Sequence, residues 1–157
     1  MKLSLQSLPM NLRKVLSPEL ISLGLKASTK QEAVEELVDL LMQGGRINDR
    51  DAALQAVLER ESKMSTGIQH GVAIPHGKTS AVNDLVACVA VKPEGIDFES
   101  LDGEPSTIFI MTLSPLNKTG PHVQFLAEIS RLLKTAESRE RILKVSSKQE
   151  LLSVLLE

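Results

Sequence analysis

Three histidines, one arginine and a pair of hydroxyls carry most of the chemistry open to this chain. His76 stands between Pro75 and Gly77, after Gly67-Ile68-Gln69-His70-Gly71-Val72-Ala73-Ile74, where Val72 and Ile74 alternate as in a half-buried strand. Proline fixes its own φ and is tolerated in a sheet only at a strand's end or edge, and glycine adopts backbone conformations that other residues avoid. The two neighbours are therefore expected to stop the strand and present the imidazole of His76 at a sheet end, on a rigid base with open space in front. A reactive histidine needs that placement, although a histidine that merely starts a turn has the same neighbours.

His122 follows Pro121 in the first turn of a predicted helix and shares a stripe with Phe125, Leu126, Ile129, Leu132 and Leu133, so it faces inward. Unpaired N–H groups and the positive end of the dipole favour an anion there and disfavour imidazolium, so a neutral His122 with one N–H to donate is expected. A buried histidine satisfied by a backbone carbonyl fits the same pattern. Arg60 lies three residues past Val57, on the edge of an apolar helix face that looks towards the strand leading to His76. Its planar fork suits phosphate oxygens, and pairing with Glu59 or Glu61 is the alternative. Ser65 and Thr66 are candidate hydroxyl donors beside it. A zinc site built on His70, His76 and His122 is disfavoured, because six extended residues separate the first two by about 20 Å.

The elements that must position these residues follow from pattern. Glu19 to Leu25 alternates as a strand. Thr29 with Glu32 makes a capping box for a helix that buries Ala33, Val34, Leu37, Leu40 and Leu41, and Gly44-Gly45 ends it. Asn48 is the expected cap of the next helix, whose face holds Ala53, Leu54, Val57 and Leu58. Further strands are predicted at Leu85 to Val91 and Thr107 to Leu113. Thr119 is the expected cap of a long helix, and Val145-Ser146-Ser147 separates two closing helices. Such interspersed elements imply an α/β fold, a single-domain sandwich whose mixed four- to five-stranded sheet is flanked by helices.

Composition narrows the classes of function. At 157 residues, 42% hydrophobic and 24% charged, the chain has the size and make-up of one ordinary globular domain. A net charge of −2, with basic residues dispersed among acids, argues against nucleic acid as a partner. Three Phe with no Trp or Tyr argue against an aromatic platform for bases or sugars. The single Cys88 sits in a run apolar on both faces and reads as an inert buried thiol. No signal peptide and no stretch of about 20 apolar residues is evident, so a cytoplasmic chain without direct membrane insertion is expected. There is no Gly-rich phosphate loop, no dinucleotide fingerprint and no Gly-x-Ser-x-Gly elbow.

Arg60-Glu61, Ser65-Thr66-Gly67-Ile68 and Val72-Ala73-Ile74-Pro75-His76-Gly77-Lys78 together resemble the active-site motif of phosphotransferase-system IIA proteins of the fructose/mannitol type, the branch that includes the nitrogen-regulatory IIA proteins. Gly95-Ile96-Asp97-Phe98 with Leu101-Asp102-Gly103 is a second match, and the spacing of His122 from His76 is a third. The resemblance covers roughly residues 12 to 156, which leaves residues 1–10 as a poorly determined segment before a IIA domain over 11–157. Gln69 and His70 depart from the family, where glycine or alanine and then asparagine or a carboxylate are usual.

The resemblance implies a histidine phosphocarrier that needs no cofactor. His76 would receive the phosphoryl group on Nε2 while its Nδ1–H bonds a local acceptor, with His122 and Arg60 as partners and Ser65 and Thr66 beside them. The donor would be HPr or a nitrogen-branch counterpart, and the acceptor a IIB domain that takes the group on cysteine. The alternative within the resemblance is a nitrogen-type regulatory protein whose phosphorylation state controls its binding to target proteins. Histidine suits such a relay because neutral imidazole is nucleophilic near pH 7 and its phosphoramidate stays reactive.

Overall fold

Strands that are apolar on both faces need cover on both, and the central pair of this sheet illustrates the rule. The computed structural model describes residues 12–156, so the N-terminal segment set apart above lies outside the described residues. β4 (Val86–Ile96) and β5 (Ser106–Ser114) run antiparallel at the middle of a five-stranded sheet. β1 (Ile21–Ser22) adds to β4 in parallel, while β2 (Val72–Ala73) and β3 (His76–Lys78) add to β5 in parallel and form the opposite edge. Cys88, Ala90, Phe109, Met111 and Leu113 point into one core, which α1 (Lys30–Gln43) and α2 (Arg50–Lys63) cover. Ala87, Val89, Val91, Ile108 and Ile110 point into the other, under α3 (Gly120–Leu132), α4 (Ala136–Leu143) and α5 (Lys148–Leu155). The fold is the expected α/β sandwich with a mixed sheet. Burial pushes the Cys88 thiol far above the usual cysteine range, in keeping with an inert core residue.

Local expectations fared unevenly. The capping box at Thr29 and Glu32 is present in both directions, and Gly44 ends α1. Val38 lies fully inside, and Leu40 only partly. The cap of α2 is Asp49 rather than Asn48: Asp49 is the last residue with an extended backbone, and its carboxylate accepts the Ala52 N–H at 3.1 Å. The strand expected over 19–25 is reduced to Ile21–Ser22, because Pro18 opens a 3-10 turn through Leu20. The alternation still holds, since Leu20 enters one core and Ile21 the other. Thr119 occupies the cap position of α3, but its side chain makes no capping bond there.

The segment around His76 also differs from the expectation of a strand that stops at the histidine. β2 and β3 keep one unbroken register along β5, Val72 opposite Ile108 and His76 opposite Thr112. Pro75 has no N–H for the ladder, which interrupts the strand between Ala73 and His76 without shifting it. The chain then continues through Gly77, whose bare Cα lets α2 come close: a Cβ built there would lie 3.0 Å from the backbone carbon of Ala56. Gly77→Ala is therefore expected to push α2 off β3 and to cost about 1–3 kcal/mol, the usual range for overpacking. A denaturant midpoint equal to the parent's would show that α2 yields without strain.

Candidate active site

β3, the last turn of α2 and the first turn of α3 meet at a cleft of about 470 Å³, lined by Ala56, Glu59, Arg60, Lys63, His76, Gly77, Lys78, Leu116 and His122. The three residues singled out for chemistry, His76, His122 and Arg60, are thus brought together from positions far apart in sequence.

The imidazole of His76 is fixed by its own strand. Its Nδ1 lies 2.9 Å from the carbonyl oxygen of Ile74. A carbonyl can only accept, so Nδ1 carries the proton and the neutral ring keeps its lone pair on Nε2. The acceptor that the sequence left unnamed is therefore Ile74. The carbonyl is available because Ile74 faces the outer edge of the sheet, where its N–H bonds Thr66 O at 3.0 Å.

The ring of His122 lies 5.1 Å from that of His76, centroid to centroid, at an interplanar angle of 50°. Burial, and then the proximity of His76 and Lys78, which disfavours a further positive charge, hold His122 below the usual imidazole range. It is neutral at pH 7, with one N–H to donate and one lone pair to accept. Its Nδ1 is 3.4 Å from Ser114 Oγ.

Arg60 is half-buried and donates from Nη1 to Met64 O at 2.8 Å, which anchors the guanidinium against the end of α2. It does not pair with Glu61. That carboxylate turns inward, where it accepts the Thr66 N–H at 2.9 Å and the Thr66 hydroxyl and pairs with Lys30 Nζ at 3.2 Å. A charge only 7% exposed needs such partners. Glu61 thereby ties α1, the end of α2 and the 65–66 loop together behind Arg60, a role the sequence reading missed. The trace was there: Glu61 is four residues past the buried Val57, so it lies on the apolar stripe.

Ser65 and Thr66 are not in the lining of the cleft. Ser65 Oγ donates to Phe98 O at 2.8 Å and accepts the Gly67 N–H at 3.0 Å, and Thr66 serves Glu61, so both hydroxyls shape the loop. His70 lines a separate pocket with Lys134 and Arg139, and its N–H bonds Asp102 at 3.1 Å. Lys78, quoted in the motif but given no role, does line the cleft. Two residues beyond His76, it shares that residue's side of the strand, and its Nζ donates to Thr119 Oγ1 at 2.8 Å. A cleft lined by Arg60, Lys63 and Lys78 beside the N-terminus of α3 is arranged to receive an anion.

Residues 14–157 match the family model described as phosphoenolpyruvate-dependent sugar phosphotransferase system, EIIA 2. A fructose-specific EIIA component of Haloferax volcanii is 44% identical over 139 residues, 88% of this chain and 90% of that protein. The crystal structure of the nitrogen regulatory protein IIA-Ntr from Neisseria meningitidis is similar at a TM-score of 0.85 and 28% identity, over 90% of this chain and 97% of that one. Escherichia coli IIA mannitol, solved in complex with phosphorylated IIB mannitol, gives a TM-score of 0.77 at 28% identity, over 89% and 96%. The resemblance read from the motif around His76 therefore extends through the sequence and the fold, and the chain belongs to the type-2 EIIA family of the phosphoenolpyruvate-dependent sugar phosphotransferase system.

Proposed function

We propose that this EIIA phosphocarrier takes its phosphoryl group on His76 Nε2 from an HPr-type phosphohistidine and passes it to a IIB domain. The observation that carries the assignment is the Nδ1–H bond to Ile74 O, which leaves the Nε2 lone pair as the nucleophile in a cationic cleft. In the first step Nε2 forms a bond to phosphorus while the donor's P–N bond breaks and its electron pair returns to the donor imidazole. In the second, the acceptor's thiolate displaces Nε2. Neither step needs a metal or a redox partner.

The work left to the protein is positioning and charge, because the passing phosphoryl group is negative on its equatorial oxygens. Arg60 offers a planar pair of donors from one side, the neutral His122 an N–H from another, and Lys78 a point charge at the rim. Leu116 is an exposed apolar residue in the cleft lining, and the exposed Val123 and Met64 are next in sequence to the lining residues His122 and Lys63, which suits docking of a protein surface rather than enclosure of a small molecule. No helix among the described residues is long and apolar enough to cross a membrane, and residence in the cytoplasm belongs to the same reading.

The likeness to the Neisseria nitrogen regulatory protein supports a second reading, in which phosphorylation of the same histidine governs association with a regulatory target. Passage of phosphate from the loaded protein to an isolated fructose-type IIB domain favours transport. Its retention in the presence of that IIB favours regulation.

Incubation of His76→Ala with phosphoenolpyruvate, enzyme I and HPr should leave its intact mass unchanged, whereas the parent gains one phosphoryl group. A phosphorylated variant would move the acceptor elsewhere. His122→Ala should still accept phosphate but roughly ten- to a hundredfold more slowly, since a hydrogen bond to a charged group contributes about 1.5–3 kcal/mol. Quench-flow rates within twofold of the parent would leave His122 a structural residue.

Arg60 separates charge from geometry. Arg60→Lys keeps the charge but loses the fork, so transfer should slow clearly, and Arg60→Ala should be slower still. Both should unfold near the parent's denaturant midpoint. Parent-like transfer in Arg60→Ala would remove Arg60 from the reaction.

A further inference from the structure

One face of β5 changes character along its length. Positions 108, 110, 112 and 114 all look towards α3, and they read Ile, Ile, Thr, Ser. Thr112 and Ser114 are both fully buried, as is Ser106 at the strand's other end, where its hydroxyl bonds Ser100 Oγ; Ile108 and Ile110 between them are apolar. A buried hydroxyl is unfavourable unless something bonds it, so each calls for an explanation. Thr112 has one in the sheet itself, since its Oγ1 donates to Val86 O at 3.0 Å. Ser114 has instead the imidazole of His122, with Nδ1 at 3.4 Å from Oγ.

We propose that Ser114 is a positioning residue for His122: its hydroxyl donates to Nδ1 and so leaves the proton on Nε2, directed at the cleft shared with His76. The inference rests on the reading of His122 as a donor to the phosphoryl group. The backbone of Ser114 is well held for this, paired with Lys78 in the β3–β5 ladder and accepting the Thr79 N–H at 2.9 Å.

A hydroxyl can give or accept, and the surroundings choose between the two. If Ser114 accepted from Nδ1–H, the Nε2 lone pair of His122 would face the Nε2 lone pair of His76 across a cleft meant for anionic oxygens. If Ser114 donates, His122 presents an N–H there instead. Only the second arrangement complements a phosphoryl group. The 3.4 Å separation is long, as hydrogen bonds around a reacting centre often are before substrate arrives.

The test is ¹⁵N imidazole spectroscopy on the unphosphorylated full chain, run on the parent, Ser114→Ala and Ser114→Thr, with phosphoryl-transfer rates alongside. In the parent, His122 should be protonated on Nε2, with Nδ1 shifted as an acceptor. Ser114→Ala should lose that shift, and Ser114→Thr, which keeps the hydroxyl, should retain it. Transfer should fall about two- to tenfold in Ser114→Ala, the worth of one neutral hydrogen bond, and recover in Ser114→Thr.

A serine serving only packing would change the denaturant midpoint and leave the Nδ1 resonance alone. A proton on Nδ1 in the parent, or an unchanged Nδ1 resonance in Ser114→Ala, overturns the proposal. A lost shift with parent-like transfer upholds Ser114 as the support of His122 and counts instead against the part given to His122 in the reaction.

Discussion

Everything at this site depends on one hydrogen bond, from His76 Nδ1 to the carbonyl of Ile74, two residues earlier in the same strand. It decides which nitrogen is nucleophilic and which way the ring points, with no second residue needed to orient it. The bond is possible only at a sheet edge. In an interior strand the Ile74 carbonyl would be taken by a neighbouring strand, but β2 and β3 lie outermost and that carbonyl faces outward. Edge groups usually have to be protected from unwanted pairing. Here the edge is occupied by the 66–67 segment on one stretch and by an imidazole on the next. Ile74 joins the two stretches, giving its N–H to Thr66 and its carbonyl to the imidazole, while Pro75 faces β5 and accepts the Thr112 N–H there.

The other groups reach the cleft on elements that are locked at a distance from it. Gly77 sets how near α2 comes to β3, and Glu61 fastens the end of α2 to α1 and to the loop after it. Arg60 and Glu61 are adjacent in sequence and play opposite parts: the buried carboxylate holds the helix end, and the guanidinium is left to face the cleft. The electrostatics follow from the same crowding. Lys63 and Lys78 join Arg60 around a histidine whose protonation is already disfavoured by burial, so positive charge accumulates there with Glu59 as the one carboxylate in the lining. An anion would offset that charge, which is the complementarity that the proposed transfer requires.

Much of this was legible in the residues themselves. The two apolar runs that became β4 and β5 were recognisable as strands, one of them apolar on both faces, and Thr29 with Glu32 named the start of α1. Pro75-His76-Gly77 pointed to the histidine that the fold places in the cleft beside His122 and Arg60. Tertiary features were harder to read. Asp49 and Asn48 are both good caps, and only the backbone tells which one stands at the last extended position. The alternation of 19–25 was genuine, yet Pro18 turned the start of it into a 3-10 turn. Ser65 and Thr66 sit beside the reactive motif in sequence, but a hydroxyl serves whichever acceptor the fold brings to it, here Phe98 O and Glu61. Glu61 and Ser114 were hidden for a related reason: a buried polar side chain is explained by a partner remote in sequence.

The shape of the cleft suits the two transfers proposed for it. An enzyme that encloses its substrate gains by excluding water, but a carrier must show the same phosphoryl group to a donor and then to an acceptor, each a protein. A lid would have to open twice per cycle. A half-open cleft with an apolar rim leaves closure to the partner, whose docked surface displaces the water and raises the strength of every charge contact inside. Leu116 and Val123 are exposed for that reason in this reading, and the scarcity of aromatic residues ceases to be odd. A surface that must release each partner after one transfer gains nothing from the large, rigid anchors that make interfaces tight.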